Sequence, residues 1–101
     1  MVRFLVLYGK PDDPEAFERH YRDVHIPLAK KLPGLRRYTI SRNVTLARGG
    51  EPYYLVAELD WDDKAALQRA FQSPEGQATA ADVPKLASEG VHSMVFELED
   101  V

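Results

Sequence analysis

Apolar and polar residues alternate at the start of this chain and then repeat at helical spacing. Val2, Phe4, Val6 and Tyr8 alternate with Arg3, Leu5 and Leu7, which predicts a strand over 2–8 with both faces mostly apolar. Gly9 to Asp13 reads as a turn. Asp13 suits a helix N-cap and Pro14 the first helical position, so a helix is expected from about Pro14 to Lys31. Glu15 with Arg19, and Glu18 with Arg22, fall at i,i+4 on its solvent side. Phe17, Tyr21, Val24, His25 and Leu28 share its apolar stripe. Pro27 lies inside it, where it has no N–H for the Asp23 carbonyl and crowds that turn. A kink near His25, or a break and restart, is expected.

Pro33-Gly34 ends the helix, and a second strand is expected over 35–44. Tyr38, Ile40, Arg42 and Val44 lie on one side of it; Leu35, Arg37 and Thr39 lie on the other. The glycines within 47–52 predict a hairpin loop. A third strand over 53–61 places Tyr53, Leu55, Ala57, Leu59 and Trp61 on one face. Tyr54, Val56, Glu58 and Asp60 occupy the other. Asp62 or Asp63 opens a second helix that carries Ala66, Leu67, Ala70 and Phe71 inward. Ser73 as cap and Pro74 at the first position mark a fresh helix start. Asp82-Val83-Pro84 reads as the start of a further turn closed by Gly90. The last strand, 91–99, sets Met94, Phe96 and Leu98 on one face and Val91 and Val95 on the other.

The resulting order, βαββαβ, is the ferredoxin-like α+β plan: a four-stranded antiparallel sheet with both helices on one side, as a single domain over 1–101. Two helices cover only one sheet face, yet the strands offer apolar residues to both. An uncovered apolar face of that size is unsuited to a soluble monomer. A second copy related by a two-fold axis is the simplest cover. A homodimer with sheets packed face to face, a dimeric α+β barrel, is expected.

Composition narrows the classes. The chain has 101 residues, no cysteine and a formal charge of −3. Disulfides and thiolate metal sites are therefore excluded, and nucleic acid is not the expected partner. The opening apolar run is too short for a signal peptide or a membrane helix, so a cytoplasmic protein without membrane partners is expected. Between Asp23 and Glu51 there is no acidic residue, while Lys30, Lys31, Arg36, Arg37, Arg42 and Arg48 all fall there. That stretch reads as a solvated face, or one meeting Glu58, Asp60, Asp62 and Asp63, rather than as a funnel for anions.

Candidate chemistry centres on the first helix. Tyr21 and His25 are one turn apart among residues that must be buried. Imidazole titrates near neutral pH and suits a general base, with Tyr21 as hydrogen-bond donor. The pair is either the working end of a pocket or a structural hydrogen bond at a helix break. His20, five residues earlier, points about 140° away on an α-helix and is expected at the helix edge. The two histidines cannot easily share a metal, no carboxylate completes a ligand set, and no cofactor is expected. Of the strand aromatics Tyr38, Tyr53, Tyr54 and Trp61, most are expected in the core or an interface and one or two as an aromatic wall for a planar substrate; Phe17 and Tyr38 are the candidates to bind substrate. His92 is placed where it reaches either the pocket or the dimer seam. Glu58, mid-strand, must be paired, solvated in a barrel or facing a cavity, with Arg37 or Arg42 its expected partner. Capping accounts for Ser73, which is not expected to be a nucleophile.

Three segments give the chain a family likeness: Phe17-x-x-His20-Tyr21-x-x-x-His25-x-Pro27; Pro33-Gly34-Leu35 with Tyr38; and Ala70-Phe71-x-Ser73-Pro74-Glu75-Gly76. In these it resembles the EthD family of the dimeric α+β barrel superfamily. That superfamily includes cofactor-free quinone-forming monooxygenases, polyketide cyclases, muconolactone isomerases and haem enzymes. The resemblance implies a small-molecule pocket inside each subunit, between sheet and helices, lined by His25. Similar cyclases carry a catalytic histidine just after the Ser-Pro helix start; Glu75-Gly76 stands there, so that mechanism is not carried over. This chain is also much shorter than the haem enzymes.

The expected function is that of a small cofactor-independent catabolic or secondary-metabolism enzyme. It would act on a compact aromatic or carbonyl-bearing molecule in oxygenase or isomerase chemistry, with His25 and Tyr21 catalytic and Phe17, Tyr38, Glu58 and His92 binding substrate. The alternatives are a non-catalytic ligand-binding or accessory dimer in a degradation pathway, and a stress-induced dimer with no small-molecule site.

Overall fold

The computed structural model describes residues 1–87 and 90–101. β1 (Val2–Tyr8) is followed by α1 (Pro14–His20), a π-helical turn (Tyr21–His25) and α2 (Ile26–Ala29). Then come β2 (Arg37–Ile40), β3 (Leu55–Trp61), α3 (Lys64–Gln72), α4 (Pro74–Leu86) and β4 (Val91–Glu97). The sheet order is β2-β3-β1-β4, with every neighbouring pair antiparallel. This is the ferredoxin-like topology that the element order implied.

The expected caps form. Asp13 accepts from the Ala16 N–H, Asp63 from Ala66 and Ser73 from Gly76. Each supplies an acceptor to an otherwise orphaned first-turn donor. Gly76 has a second role. A Cβ there would lie 2.5 Å from the Phe71 Cα and still closer to the Ala70 carbonyl oxygen, so only glycine lets α4 begin against the end of α3. Gly34, at φ +74°, turns the chain under Trp61, whose indole N–H donates to the Pro33 carbonyl at 2.9 Å. Trp61 is fully buried.

Several boundaries differ from expectation. The second strand spans only Arg37–Ile40, because the Ser41 hydroxyl, not a backbone group, accepts from the Val56 N–H at the strand's end. Asn43 then takes a positive φ, and residues 41–54 form a longer connection than a tight hairpin. Pro84 starts no new element. It lies in the last turn of α4, which runs unbroken from Pro74 to Leu86. Pro27 does not break its helix either. Ahead of it the Ile26 N–H bonds the Tyr21 carbonyl, five residues back, which widens the turn before the residue that cannot donate. Val24, expected on the buried stripe, is 40% exposed, because the wider turn rotates it outward.

The inner face of the sheet carries Val2, Val6, Tyr8, Leu55, Ala57, Leu59 and Trp61, all buried beneath the helices. Rings of Tyr8, Phe17, Tyr21 and Tyr54 pack at centroid distances of 5.5 to 5.7 Å, mostly edge to face. On the outer face Glu58 pairs with Arg3 of β1 at 3.5 Å, not with Arg37 or Arg42. The register explains this: Arg3 stands opposite Asp60, binds it with two hydrogen bonds, and is one diagonal step from Glu58. The basic stretch meets the acidic one at a single bidentate pair, Arg36 with Asp62, both exposed. Beside Arg3 the outer face is apolar: Leu5 and Leu7 are half-buried, and Met94 and Phe96 are exposed.

Candidate functional site

The π-helical turn decides which side chains meet. On an α-helix His20 and His25 would point apart. A turn closed by a bond to the fifth residue back brings residues five apart onto one face. Both rings therefore reach α4, where Asp82 receives them. His20 Nε2 lies 2.8 Å from Asp82 Oδ1, and His25 Nδ1 lies 2.9 Å from Asp82 Oδ2. Asp82 is buried, as is His25, while the His20 side chain is 30% exposed.

Electrostatics fix the proton positions. Burial alone would raise the Asp82 carboxyl, but the hydrogen bonds from His20 and His25 more than offset it and hold the group below the ordinary carboxylate value. Asp82 is therefore an anion that only accepts. Burial holds the His25 imidazole below its ordinary 6.5, against the pull of Asp82. A neutral His25 facing a carboxylate must carry its proton on Nδ1, which leaves the lone pair on Nε2.

A second polar pair lies one turn back. The Tyr21 and Tyr38 hydroxyls are 2.6 Å apart. Burial raises both phenols above their ordinary range, so both keep their protons near neutral pH. One hydroxyl donates to the other, and the second proton is left for another acceptor.

These groups border a cavity of about 150 Å³ between the inner face of the sheet and the helices. His25, Tyr8, Tyr21 and Tyr38 line it, with Phe4, Val6, Leu59 and Phe71 as apolar wall and Thr79 and Ser93 as further polar groups. Of the residues singled out in sequence, His25, Tyr21 and Tyr38 come together here. Phe17 does not line the cavity; it packs between Tyr8 and Tyr21 and borders an outer cleft. Glu58 and His92 are absent from the lining because strand alternation sends them to the other face, opposite Leu5 and Leu7. His92 there packs against the Tyr53 ring. His20 lies at the helix edge, as expected, with its ring reaching Asp82, a residue that the sequence marks only as a turn former. Pro27 placed next to a pair of histidines five apart is the sequence signal that could have joined them. Among the described residues, no group of three or more His, Asp or Glu side chains is arranged to hold a metal ion, and no helix is long and apolar enough to cross a membrane.

Residues 10–90 match the EthD domain, and the chain belongs to that family. It is 39% identical over 100 residues to an uncharacterised 11.0 kDa protein of the thcB–thcC intergenic region of Rhodococcus erythropolis, covering 99% of this chain and 96% of the relative. The crystal structure of an ethyl tert-butyl ether d (EthD) family protein from Bacillus halodurans is similar at 37% identity. Its TM-score is 0.89, over 98% of this chain and 99% of that one. SnoaB, a cofactor-independent oxygenase of Streptomyces nogalater, shares the fold at 22% identity and a TM-score of 0.65, over 99% of this chain and 94% of that one.

Proposed function

We propose that this protein is a cofactor-independent enzyme that takes a proton from a compact, single-ring phenolic or carbonyl-bearing molecule. The observation that carries the reading is His25 itself. A buried carboxylate holds its Nδ1, and its ring borders an apolar cavity. That is the arrangement of an oriented general base. A proton passes from the substrate's O–H or C–H to Nε2 of His25. The negative charge left on the substrate oxygen is met by the free proton of the Tyr21–Tyr38 pair, Tyr21 donating directly or through Tyr38. The resulting enolate or phenolate is the common entry to isomerisation and to reaction with dioxygen. The shared fold with a cofactor-independent oxygenase supports the second course.

Cavity size limits the substrate. A void of about 150 Å³ accepts a benzene-sized molecule. In assembly, the protein is a homodimer closed through the outer sheet face, where Leu5, Leu7, Met94 and Phe96 would be covered.

A second reading has its own support. The site is already self-satisfied, with tyrosine on tyrosine and imidazole on carboxylate. Such a pocket also suits a non-catalytic binding or accessory dimer. Thermal denaturation against a panel of phenols, cyclic ketones and lactones distinguishes the two. A ligand bound only by the folded state raises the melting temperature. Single-ring compounds are expected to stabilise the protein, and His25→Asn is expected to keep that stabilisation while losing turnover. Stabilisation without turnover of any bound compound by the wild type supports the accessory reading. No stabilisation by any of them refutes both.

A further inference from the structure

β1 ends at Tyr8, which strand alternation turns to the inner face with Val2 and Val6. The residue is 2% exposed. Its backbone is anchored: the Tyr8 carbonyl accepts from the Tyr54 N–H at 2.7 Å, and the next N–H, of Gly9, donates to the Gly90 carbonyl at 2.8 Å. Its ring is wedged edge to face against Phe17 at 5.5 Å and Tyr21 at 5.7 Å. Packing of this kind leaves the ring little freedom and fixes the direction of its hydroxyl.

Other polar side chains of the cavity are already engaged. Tyr21 and Tyr38 bond each other, His25 is held by Asp82 through Nδ1, and the Thr79 hydroxyl donates to the Glu75 carbonyl at 2.8 Å. Ser93, on the edge strand β4, is exposed and meets solvent. The Tyr8 hydroxyl lines the cavity with no hydrogen-bond partner among the described residues. Nor is it sealed inside the protein. Among the described residues, the one side-chain oxygen or nitrogen wholly buried without a partner is Glu75 Oε2. The last accessible surface of Tyr8 therefore includes its oxygen and opens on the cavity it lines. A phenol withdrawn from bulk water and left unpaired is costly unless something in the cavity bonds it.

We infer that Tyr8 is a ligand-binding residue of this cavity: its hydroxyl donates to an oxygen of the bound molecule, as a second donor beside the Tyr21–Tyr38 pair. The Tyr21 ring touches both Tyr8, at 5.7 Å, and His25, at 5.3 Å, which sets Tyr8 at the polar end of the cavity. Burial, with the Tyr38 phenol and the Asp82 carboxylate nearby, holds the Tyr8 hydroxyl above its ordinary range, so it keeps its proton and donates. A carbonyl, phenol or phenolate oxygen has lone pairs enough for two such donors, and two fixed donors stabilise a developing oxyanion without reorganising. The site thus selects single-ring molecules bearing an acceptor oxygen over hydrocarbons of the same shape.

This inference rests on the proposed function for its place in a reaction, but its test needs no turnover. Wild type and Tyr8→Phe are compared as intact, free protein and with three probes: phenol, cyclohexanone and toluene. Phenylalanine keeps the ring that Phe17 and Tyr21 pack against and removes only the hydroxyl. Affinities are read from the concentration dependence of Tm. Tyr8→Phe is expected to weaken phenol and cyclohexanone about tenfold and to leave toluene within about twofold. Equal affinities for the oxygen-bearing probes in both proteins overturn the proposal and leave the role of His25 untouched. Stabilisation of the wild type by none of the probes overturns both. The free protein supplies a second test. Because the hydroxyl has no described protein partner, its removal is expected not to lower Tm. A fall of about 4 °C or more, the size of a lost internal hydrogen bond, overturns the proposal whatever the probes do. Absence of turnover of a bound compound ends the enzyme reading and leaves the Tyr8 result standing.

Discussion

Replacing Asp82 by alanine strikes the one residue on which both histidines converge. It removes two hydrogen bonds to an ionised acceptor, at 2.8 and 2.9 Å. The two imidazoles lose unequally. His20 is 30% exposed and can turn to water. His25 is buried at 5% and cannot, so its Nδ1–H is left without an acceptor. An unpaired buried donor costs about 1–3 kcal/mol, and a lost bond to a charged group about 1.5–3 kcal/mol. Because His25 is neutral, the full penalty of a stranded charge does not apply. A loss of about 3 kcal/mol is expected, a large share of the stability of a domain this size. Tm should fall by roughly 12–24 °C at about 4–8 °C per kcal/mol. Asp82→Asn, which keeps one acceptor oxygen, should lose about half as much. Urea unfolding at pH about 7.5, followed by the fluorescence of buried Trp61, measures it. A loss below about 0.5 kcal/mol for Asp82→Ala, the range of ordinary surface changes, would refute the reasoning.

Acid should destabilise the native state. Its His25 and Asp82 are held below their ordinary values of 6.5 and 3.8, so the unfolded chain binds more protons as pH falls. Stability from both groups is full above pH 6.5, is lost first as pH drops below 6.5, and is lost further below 3.8; urea midpoints that stay level or rise between pH about 7.5 and about 5 would contradict this. Gly76→Ala drives a methyl group into the backbone of Ala70 and Phe71, which cannot move aside as a side chain can. It should cost about 3 kcal/mol or more by calorimetry, and a neutral result would mean that α3 and α4 do not meet so closely.

The frame of this protein was legible because its signals are local. Alternation marks β1 and β3, and Asp13, Asp63 and Ser73 cap the helices expected of them. Tyr21, His25 and Tyr38 were found because polar groups at apolar positions stand out in any sequence. The links between distant residues were not legible. Asp82 lies 57 residues from His25, and nothing near it in sequence distinguishes an inward carboxylate from a turn former. His20 lies at the helix edge as expected, but the regular α-helical geometry that points it away from His25 does not hold over Tyr21–His25, where one widened turn brings both rings to one carboxylate. Glu58 and His92 lie on the faces that alternation assigned to them; what the sequence did not disclose is which face borders the cavity.

The state of the His25 ring is the most direct test of a base poised over the cavity. Long-range ¹⁵N–¹H correlation NMR of the free protein at pH about 7.5 reads protonation and tautomer together. A neutral ring is expected, with the proton on Nδ1 facing Asp82 and a bare Nε2. A proton on Nε2, or a charged imidazolium, would contradict it.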